Sequence, residues 1–481
     1  MKRGSKPREH VHITCQYPIK LQIHAFLMFF KVEKPNIGLI YRILFRNDYR
    51  PYIQFIKKRI IMTKHIGFIS TRFSGTDGVT MEASKWSKVL KQNGHSCFWF
   101  AGELDRDPKT SFLVPEAHFK HEKNEWINDR IFGHKKRNPT VTDTIFELKV
   151  FLKKQIQTFI SQFHIDLLIA QNVLTIPLHI PLGIALTEII AETQIPTIAH
   201  HHDFYWERTR FSVNAVGDYL RMSFPPNLNN IEHVVINSAA QEELALRTGI
   251  SSTIIPNVLD FENPPEIDAE QTLQFRSSMD LEPQDHIILQ PTRIVQRKGI
   301  EHAIELVESL KNQRYKLVIS HEAGDEGYEY SEWLLETAHE RGVDLRLVKT
   351  RVSDPLNVQS NHNANPSLWD IYPHADFITY PSLYEGFGNA FLEAVYFKKP
   401  LLINRYATFI RDIEPKRFDL IVMDGFLTKK NVQQVKDVLN SSQIKEKMVN
   451  HNYEVARRNY SYAPLRRWLS TILTNFFGMN V

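Results

Sequence analysis

Short apolar runs alternate with longer segments of helical periodicity along most of the chain. The first run, at 65–70, is followed by a glycine-containing loop at 71–78 and by helical spacing of apolar residues over 79–93. Another apolar run follows at 97–101. Strands that alternate with helices in this way predict a parallel sheet covered by helices on both faces. The polar residues at 105–142 are expected to form an irregular, mobile insertion.

The alternation of strands and helices occurs in two series. The first series ends with a predicted strand at 253–255, and the second begins with one at 286–290. Between them, the segment at 256–283 is rich in proline and carboxylates, which is typical of a linker. We therefore predict an α/β protein with a basic leader at 1–61, an N-terminal domain at 62–262, a linker at 263–284, a C-terminal domain at 285–455 and a terminal helical segment at 456–481.

Composition and charge narrow the functional classes. With 481 residues, 42% of them apolar, the chain is long enough for more than one domain. Its two cysteines, Cys15 and Cys97, cannot form a disulfide framework and lack metal-ligand spacing, so we expect a reduced, cytoplasmic location. The formal net charge is +5, but residues 1–61 alone carry +10, which leaves −5 on the remainder. A mildly acidic body argues against nucleic-acid binding, which requires a basic face.

The basic leader has two interpretations. Its most apolar part, at 21–30, is too short and interrupted to span a membrane and lacks a signal-peptide cleavage pattern. One interpretation is a basic, aromatic anchor that gives peripheral contact with a membrane surface. The other is that translation starts at Met62, immediately before the first strand, and we favour this second interpretation.

Two carboxylates flank a glycine-containing loop in the stretch at 380–400. An apolar strand ends at the start of this stretch, Glu385 lies in the following loop, and Glu393 lies one turn into the next predicted helix. Gly386 and Gly388 leave the loop backbone open to a ligand, and the helix N-terminus favours an anion. This strand, loop and helix form the central candidate site.

Two further loops follow predicted strands. Arg293 and Lys298 follow the first strand of the second series, where two positive charges suit a diphosphate. Arg297 is an alternative to either residue. The alternative to a binding site is a basic loop that is simply solvated. In the first series, Gly75 and Gly78 lack dinucleotide-binding spacing. Their loop could bind an anion or a sugar, or could simply be a tight turn.

Three consecutive histidines follow the predicted strand at 196–199. Because successive residues at a strand end point in alternating directions, His200, His201 and His202 do not easily converge on one metal ion. We expect a hydrogen-bonding role for one of them. The residues that follow supply further groups for a polar substrate: Asp203, Trp206, Glu207, Arg208 and Arg210.

These motifs together resemble a known family. The residues that carry the resemblance are Arg293 with Lys298 and Gly299, Pro381 with Ser382, the run from Glu385 to Gly388, Glu393 with Ala394, His202 to Phe204, and Ile255 to Asn257. The chain resembles the retaining glycosyltransferases of family 4 from about Lys64 to its last helix. The resemblance implies a GT-B fold, in which two Rossmann-like domains face each other across a cleft and a C-terminal helix returns to the N-terminal domain.

The resemblance also implies a reaction. It is the transfer of a hexose from a nucleotide-diphosphate sugar to a hydroxyl acceptor, with retention of configuration, without a cofactor and without a metal. Arg293 and Lys298 would neutralise the diphosphate, Glu393 would accept hydrogen bonds from the ribose, Glu385 would contact the donor sugar, and His202 would reach toward the transferred sugar. The remaining donor-binding positions would be Gly75, Gly78, Gly386, Phe387, Gly388 and Asn389.

The acceptor is expected on the N-terminal domain. We place it near Arg72, Asp77, Trp206 and Arg208. Two alternatives remain. One is a GT-B-type sugar-nucleotide epimerase, which needs no acceptor, and the other is a non-catalytic, membrane-associated partner protein.

The chain departs from the family pattern at three places. A glycine is usual near Lys398, the loop at 404–409 lacks a usual glycine pair, and Val258 and Leu259 follow the Ile-Pro-Asn segment where a glycine is usual. Within that loop, Arg405 could add affinity for phosphate or could pair with a surface acid. These departures affect the expected contacts with the donor sugar.

Overall fold

The computed structural model describes residues 63–75, 77–264, 275–277, 279–320, 329–348 and 368–478. The predicted leader lies outside these residues, and so does much of the predicted linker. Within the described part of the chain, no helix is both long and apolar enough to cross a membrane.

The N-terminal sheet contains seven parallel strands in the order β3-β2-β1-β4-β5-β6-β7. The strands are β1 (His65–Ile69), β2 (Ser96–Ala101), β3 (Ser111–Leu113), β4 (Leu167–Gln171), β5 (Thr197–His201), β6 (Ile231–Val235) and β7 (Thr253–Ile254). The helices are α1 (Gly78–Gln92), α2 (Glu122–Ile131), α3 (Pro139–Phe163), α4 (Ile180–Thr193), α5 (Gly217–Ser223) and α6 (Ser238–Thr248). Strands β4 and β5 are buried at every position, as expected of a parallel sheet covered on both faces.

The C-terminal sheet contains six parallel strands in the order β10-β9-β8-β11-β12-β13. The strands are β8 (His286–Gln290), β9 (Tyr315–Ile319), β10 (Leu345–Leu347), β11 (Phe377–Tyr380), β12 (Leu401–Asn404) and β13 (Ile421–Met423). The helices are α7 (Ile300–Leu310), α8 (Glu329–Glu340), α9 (Leu368–Ile371), α10 (Asn389–Tyr396), α11 (Lys429–Asn440), α12 (Ser442–Tyr460) and α13 (Tyr462–Phe477).

The predicted irregular insertion at 105–142 is regular over much of its length. It contains strand β3, helix α2 and the first turn of α3. Helix α3 begins with Pro139 in its first turn, and the Asn138 side chain accepts a hydrogen bond from Thr140 N. Ile127 and Ile131 of α2 are buried in the domain core. Periodicity failed here because α2 is short and mostly polar, with few apolar positions to reveal its buried face.

The last helix returns to the N-terminal domain, as predicted. Leu465 and Leu469 of α13 share one apolar cluster with Ile66 of β1 and Trp86 of α1. The preceding helix α12 instead packs on the C-terminal domain, where Tyr453 joins a separate cluster. The chain therefore crosses from one domain to the other between α12 and α13.

Candidate active site

A cleft of about 890 Å³ is lined by loops from both domains. The loops follow β1 and β2 on the N-terminal side and β8 and β11 on the C-terminal side, so the carboxyl edges of the two sheets face the same space. The predicted site residues that line it are Arg72, Gly75, Asp77, Gly78, Arg293, Lys298, Glu385, Phe387, Gly388, Asn389 and Glu393.

The backbone of the loop at 385–388 is held by side chains from the loop after β12. Tyr406 donates a hydrogen bond to the carbonyl oxygen of Phe387 at 3.0 Å, and Thr408 donates one to that of Glu385 at 2.9 Å. Gly388 precedes α10 with φ +107°, and a Cβ atom there would lie 2.5 Å from the Tyr406 hydroxyl. Glycine is therefore required at 388 by both the backbone conformation and the close approach of Tyr406.

Lys298 and Glu385 form an ion pair with each other. Lys298 Nζ donates to Glu385 Oε1, and the Arg297 guanidinium lies 3.6 Å from Glu385 Oε2. Lys298 and Glu385 are each 9% exposed. Burial lowers the pKa of Lys298, while Glu385 acts in the opposite direction. Lys298 was expected to bind the diphosphate and Glu385 the donor sugar, and the structure brings the two side chains into direct contact.

Arg293 is the exposed cation on this side of the cleft. Its side chain has no ion-pair or hydrogen-bond partner in the part of the chain that the structure describes, and it faces the same cleft as Lys298. A guanidinium in that state has all its donors available for an oxyanion.

Glu393 projects from α10 into the cleft with one oxygen already bound. The Tyr372 hydroxyl donates to Glu393 Oε2 at 2.9 Å. Burial raises the pKa of Glu393, and the hydrogen bond from Tyr372 acts in the opposite direction. The tyrosine orients the carboxylate, and its other oxygen can accept from a ligand hydroxyl.

The loop after β1 reaches across toward α10. Asp77 caps α1 by accepting hydrogen bonds from Val79 N and Thr80 N, and it also binds Arg72 at 3.1 Å. A Cβ atom on Gly78 would lie 4.0 Å from the Asn389 side chain of the opposite domain. The Asp77 side chain is therefore occupied by its own helix and by Arg72.

Four predicted site residues do not line the cleft. The ring of His202 hydrogen bonds Gln171 at 3.2 Å, and burial lowers its pKa to about 4. Gly386 lies near the backbone of His202, whose carbonyl oxygen would be 4.0 Å from a Cβ atom at Gly386. Trp206 stacks on Phe204 with ring centroids 4.4 Å apart. Arg208 is paired with Asp203. The structure therefore does not bring Trp206 and Arg208 together with Arg72 and Asp77, because both side chains are engaged elsewhere.

The three consecutive histidines have separate neighbours. His200 stacks on Trp86, and His201 hydrogen bonds His233 at 2.9 Å. Among the described residues, no group of three or more His, Cys, Asp or Glu side chains could hold a metal ion.

Two of the three departures from the family pattern have structural explanations. Arg405 pairs with Glu414 at 3.0 Å and lies 3.5 Å from Asp424, so it contacts surface acids. Lys398 has φ +51°, a conformation that glycine adopts without strain. The chain turns through the left-handed region at this residue, just after α10.

Several side chains connect the two domains around the site. Asn257 donates to Asn389 at 2.8 Å, and Asn237 donates to the carbonyl oxygen of Gly386 at 2.7 Å. The Tyr384 hydroxyl donates to Glu207 at 3.1 Å. The N-terminal domain therefore contacts the 385–388 loop directly.

Sequence reasoning missed part of the cleft wall. Glu103 and Asp105 follow β2 and line the cleft beside Arg72. These two residues could have been predicted from their position after β2, the strand adjacent to β1. The loops that follow neighbouring parallel strands lie at the same edge of the sheet. Tyr372 and Tyr406 carried no such signal, because their contacts depend on how separate loops pack.

Several solved structures share this fold. A glycosyltransferase from Rickettsia africae has a TM-score of 0.62 at 14% identity, covering 86% of this chain and 98% of that chain. Anabaena HepE in complex with UDP-glucose has a TM-score of 0.57 at 10% identity, covering 85% and 99%. Two parallel-sheet domains with a shared cleft define the GT-B class of glycosyltransferase.

Sequence relatives give the family. The family model described as "Glycosyl transferases group 1" matches residues 272–455. Mannosylglucosylglycerate synthase from Petrotoga mobilis is 33% identical over 382 residues, which is 74% of this chain and 86% of the relative. The Thermotoga maritima protein of the same name is 32% identical over 84% of this chain and 98% of its own length. The chain belongs to the glycosyl transferases group 1 family and is a glycosyltransferase.

Proposed function

We propose that this glycosyltransferase transfers a mannosyl residue from a nucleotide-diphosphate mannose to a hydroxyl of glucosylglycerate, with retention of anomeric configuration. The observation that carries the donor assignment is the grouping of Arg293, Lys298, Glu385 and Glu393 on the C-terminal wall of one cleft. The acceptor assignment is supported by the names of the two relatives. In mannosylglucosylglycerate the mannosyl unit is named first, which makes glucosylglycerate the acceptor of a mannosyl transfer.

The donor would occupy the C-terminal wall. Among the described residues Arg293 has no partner, and it is exposed, so its guanidinium can bind the diphosphate through two parallel hydrogen bonds. Lys298 adds a second positive charge, shared with Glu385 before the donor arrives. Glu393, oriented by Tyr372, can accept hydrogen bonds from a vicinal diol such as that of ribose.

Transfer would occur on one face of the sugar. The bond between the anomeric carbon and the diphosphate oxygen breaks as the acceptor oxygen forms its bond on the same side. The acceptor proton passes to the departing diphosphate oxygen. The enzyme contributes by positioning both substrates and by stabilising the charge on the leaving group through Arg293 and Lys298. This supply of positive charge is why we propose a metal-independent reaction.

An activity panel tests this function. The full chain is incubated with glucosylglycerate and with UDP-, GDP- or ADP-linked mannose or glucose, with and without a chelator. We expect one mannose donor to give mannosylglucosylglycerate. Its mannosyl linkage, determined by NMR, should keep the anomeric configuration of the donor. Arg293→Gln should lower kcat/KM by at least about 100-fold through loss of charge-assisted bonds to the leaving group. Arg457→Gln, which removes an exposed arginine paired with Glu454, is the matched control.

The alternatives give different results in the same panel. A sugar-nucleotide epimerase would isomerise its donor without any acceptor. A non-catalytic partner protein would form no product and would bind nucleotide-sugars equally well after Glu393→Ala. Inversion at the anomeric carbon, or complete loss of activity in chelator, would reject the proposed mechanism.

A further inference from the structure

The N-terminal wall of the cleft has its own charge pattern. Arg72 is the single cation among the described N-terminal residues that line the cleft. Beside it lie three carboxylates, those of Asp77, Glu103 and Asp105. Glu103 accepts from Ser74 Oγ, and Asp105 accepts from Gly75 N at 2.8 Å, so both are fixed against the same loop. Arg106 lies 3.4 Å from Asp105 and the His118 ring lies 3.2 Å from Glu103, and neither lines the cleft. The cleft-lining residues of this wall therefore carry more negative than positive charge, although Asp77 and Asp105 are each paired with an arginine.

Arg72 is held in a defined position. One terminal nitrogen donates to Asp77 at 3.1 Å, and the guanidinium lies 5.4 Å from the centre of the Phe119 ring. Asp77 is itself fixed as the cap of α1. The Arg72 side chain remains 34% exposed, and within the described residues Asp77 is its one hydrogen-bond partner. An arginine fixed at one nitrogen can present its remaining N–H groups to a second carboxylate with little further loss of conformational freedom.

The cations of the opposite wall are placed for a different anion. Lys298 is bound to Glu385, and Arg293 lies on the loop after β8, next to the loop at 385–388. An acceptor that enters along the N-terminal wall would therefore meet Arg72 before it meets any other positive charge.

We infer that Arg72 recognises the carboxylate of the acceptor and makes the enzyme select a carboxylate-bearing glycoside over its neutral analogue. This inference rests on the proposed function, which it extends from the reaction to the basis of acceptor choice. Because Arg106 offsets Asp105, the carboxylates of Asp77 and Glu103 limit this recognition to a single negative charge. A phosphate group would add repulsion from them that Arg72 alone does not offset. The wall thus suits glucosylglycerate better than its phosphorylated form.

Equilibrium binding separates this inference from the proposed activity. Calorimetry is performed on the full chain with glucosylglycerate, with glucosylglycerol, in which CH2OH replaces the carboxylate, and with glucosyl-3-phosphoglycerate. Each titration is made with and without the nucleoside diphosphate that gives the largest thermal shift. We expect glucosylglycerate to bind about tenfold or more tightly than glucosylglycerol, as is typical of a charge-assisted hydrogen bond. The phosphorylated compound should bind more weakly than glucosylglycerate.

Variants at Arg72 identify the source of the preference. Arg72→Gln should bind glucosylglycerate and glucosylglycerol equally, and Arg72→Lys should retain part of the preference. Because Arg72→Gln also exposes the Asp77 carboxylate, the double variant with Asp77→Asn removes both charges while keeping a capping residue. The double variant should still lack the preference. Arg457→Gln should bind as the wild type does.

The outcomes are distinct. Equal binding of the two glycosides by the wild type, no binding of either, or a preference that survives in Arg72→Gln would overturn the role of Arg72. Recovery of the preference in the double variant would also overturn it, since repulsion by Asp77 would then explain the single variant. An Arg72-dependent preference without mannosyl transfer would support the role of Arg72 and reject only the proposed reaction.

Discussion

Lys298 and Glu385 illustrate how single residues in this cleft depend on their neighbours. Each is nearly buried, and each would be costly to place there alone, because a buried charge loses its hydration. Their contact offsets part of that cost and keeps both side chains at the cleft surface. Arg293 needs no such partner because it is exposed. Lys298 and Glu385 can therefore both be available to a polar ligand while neither is an unpaired buried charge.

Gly388 provides a test, at a single residue, of the donor-binding role proposed for the 385–388 loop. Gly388→Ala should lower the free energy of unfolding by about 2 kcal/mol, because its φ of +107° is unfavourable for alanine and a Cβ atom would meet the Tyr406 hydroxyl at 2.5 Å. Displacement of Tyr406 should also weaken donor binding. Denaturant unfolding and nucleotide-sugar titration measure the two effects.

Gly425 is the matched control for this substitution. It has φ +77°, and nothing lies within 4 Å of its Cβ position. Gly425→Ala should cost only about 1 kcal/mol for the backbone and should leave donor affinity unchanged. Equal effects of the two substitutions would show that the contact with Tyr406 does not matter.

Buried histidines make stability depend on pH. Burial lowers the pKa of His179, His202 and His233 to about 4, and lowers those of His200 and His201 well below the usual range. In the unfolded chain a histidine has a pKa of about 6.5. Between these values the unfolded state binds more protons, so their contribution to stability is complete above about pH 6.5 and is lost as the pH falls toward 4.

His200→Phe tests this dependence. Neither ring nitrogen of His200 has a hydrogen-bond partner among the described residues, and its ring stacks on Trp86 at 4.3 Å between centroids. Phenylalanine can keep the stacking without the titration. The fall in thermal midpoint between pH 7.5 and pH 4.5 should therefore be smaller in the variant than in the wild type. An unchanged pH profile would show that His200 does not titrate on unfolding.

At the level of elements, helix α13 joins the end of the chain to its first domain. Leu469 is fully buried in the cluster that includes Ile66 and Trp86. Leu469→Ala should lower the free energy of unfolding by about 3 kcal/mol through lost burial and the cavity that remains. Asn475→Ala, on the exposed side of α13, should have an effect within about 0.5 kcal/mol.

The readout for α13 is unfolding of the N-terminal domain. Tryptophan fluorescence is suitable because Trp86 lies in the affected cluster. A Leu469→Ala variant with the wild-type unfolding midpoint would contradict the packing of α13 on this domain.

Strands and helices with a clear apolar pattern in the sequence were predicted, and those without such a pattern were missed. The strands β1, β2, β4, β8 and β9 agree with apolar runs, because buried parallel strands are almost continuously apolar. Helix α2 and the short strands β3 and β13 were missed, since three-residue strands and polar helices give little periodic signal.

At the scale of the whole molecule, hydrogen bonds between the domains position the 385–388 loop. Asn237 both caps α6, by accepting from Ala240 N at 2.7 Å, and donates to the carbonyl oxygen of Gly386. Asn237→Asp keeps the capping oxygen but turns a carboxylate oxygen toward that carbonyl. We expect the apparent affinity for the donor to fall about tenfold, from the loss of a bond worth about 1–2 kcal/mol.

Arg411→Ala is the control between the same two domains. Arg411 pairs with Glu242 at 2.6 Å, and both side chains are about half exposed. Such a pair contributes about 0–1 kcal/mol, so donor affinity should stay close to that of the wild type. If both variants bind the donor as the wild type does, the contacts between the domains do not control the loop.

The two α/β domains and the family motifs could be predicted from the sequence, because buried strands, helix periodicity and glycine-containing loops are local patterns. It also indicated most of the C-terminal wall of the cleft, since Arg293, Lys298, Glu385 and Glu393 follow or flank strands whose ends share one edge of a sheet. Which side chains contact each other could be learned only from the folded structure. The Lys298–Glu385 pair, the support of the 385–388 loop by Tyr406, and the separation of Trp206 and Arg208 from Arg72 depend on contacts between residues far apart in the chain.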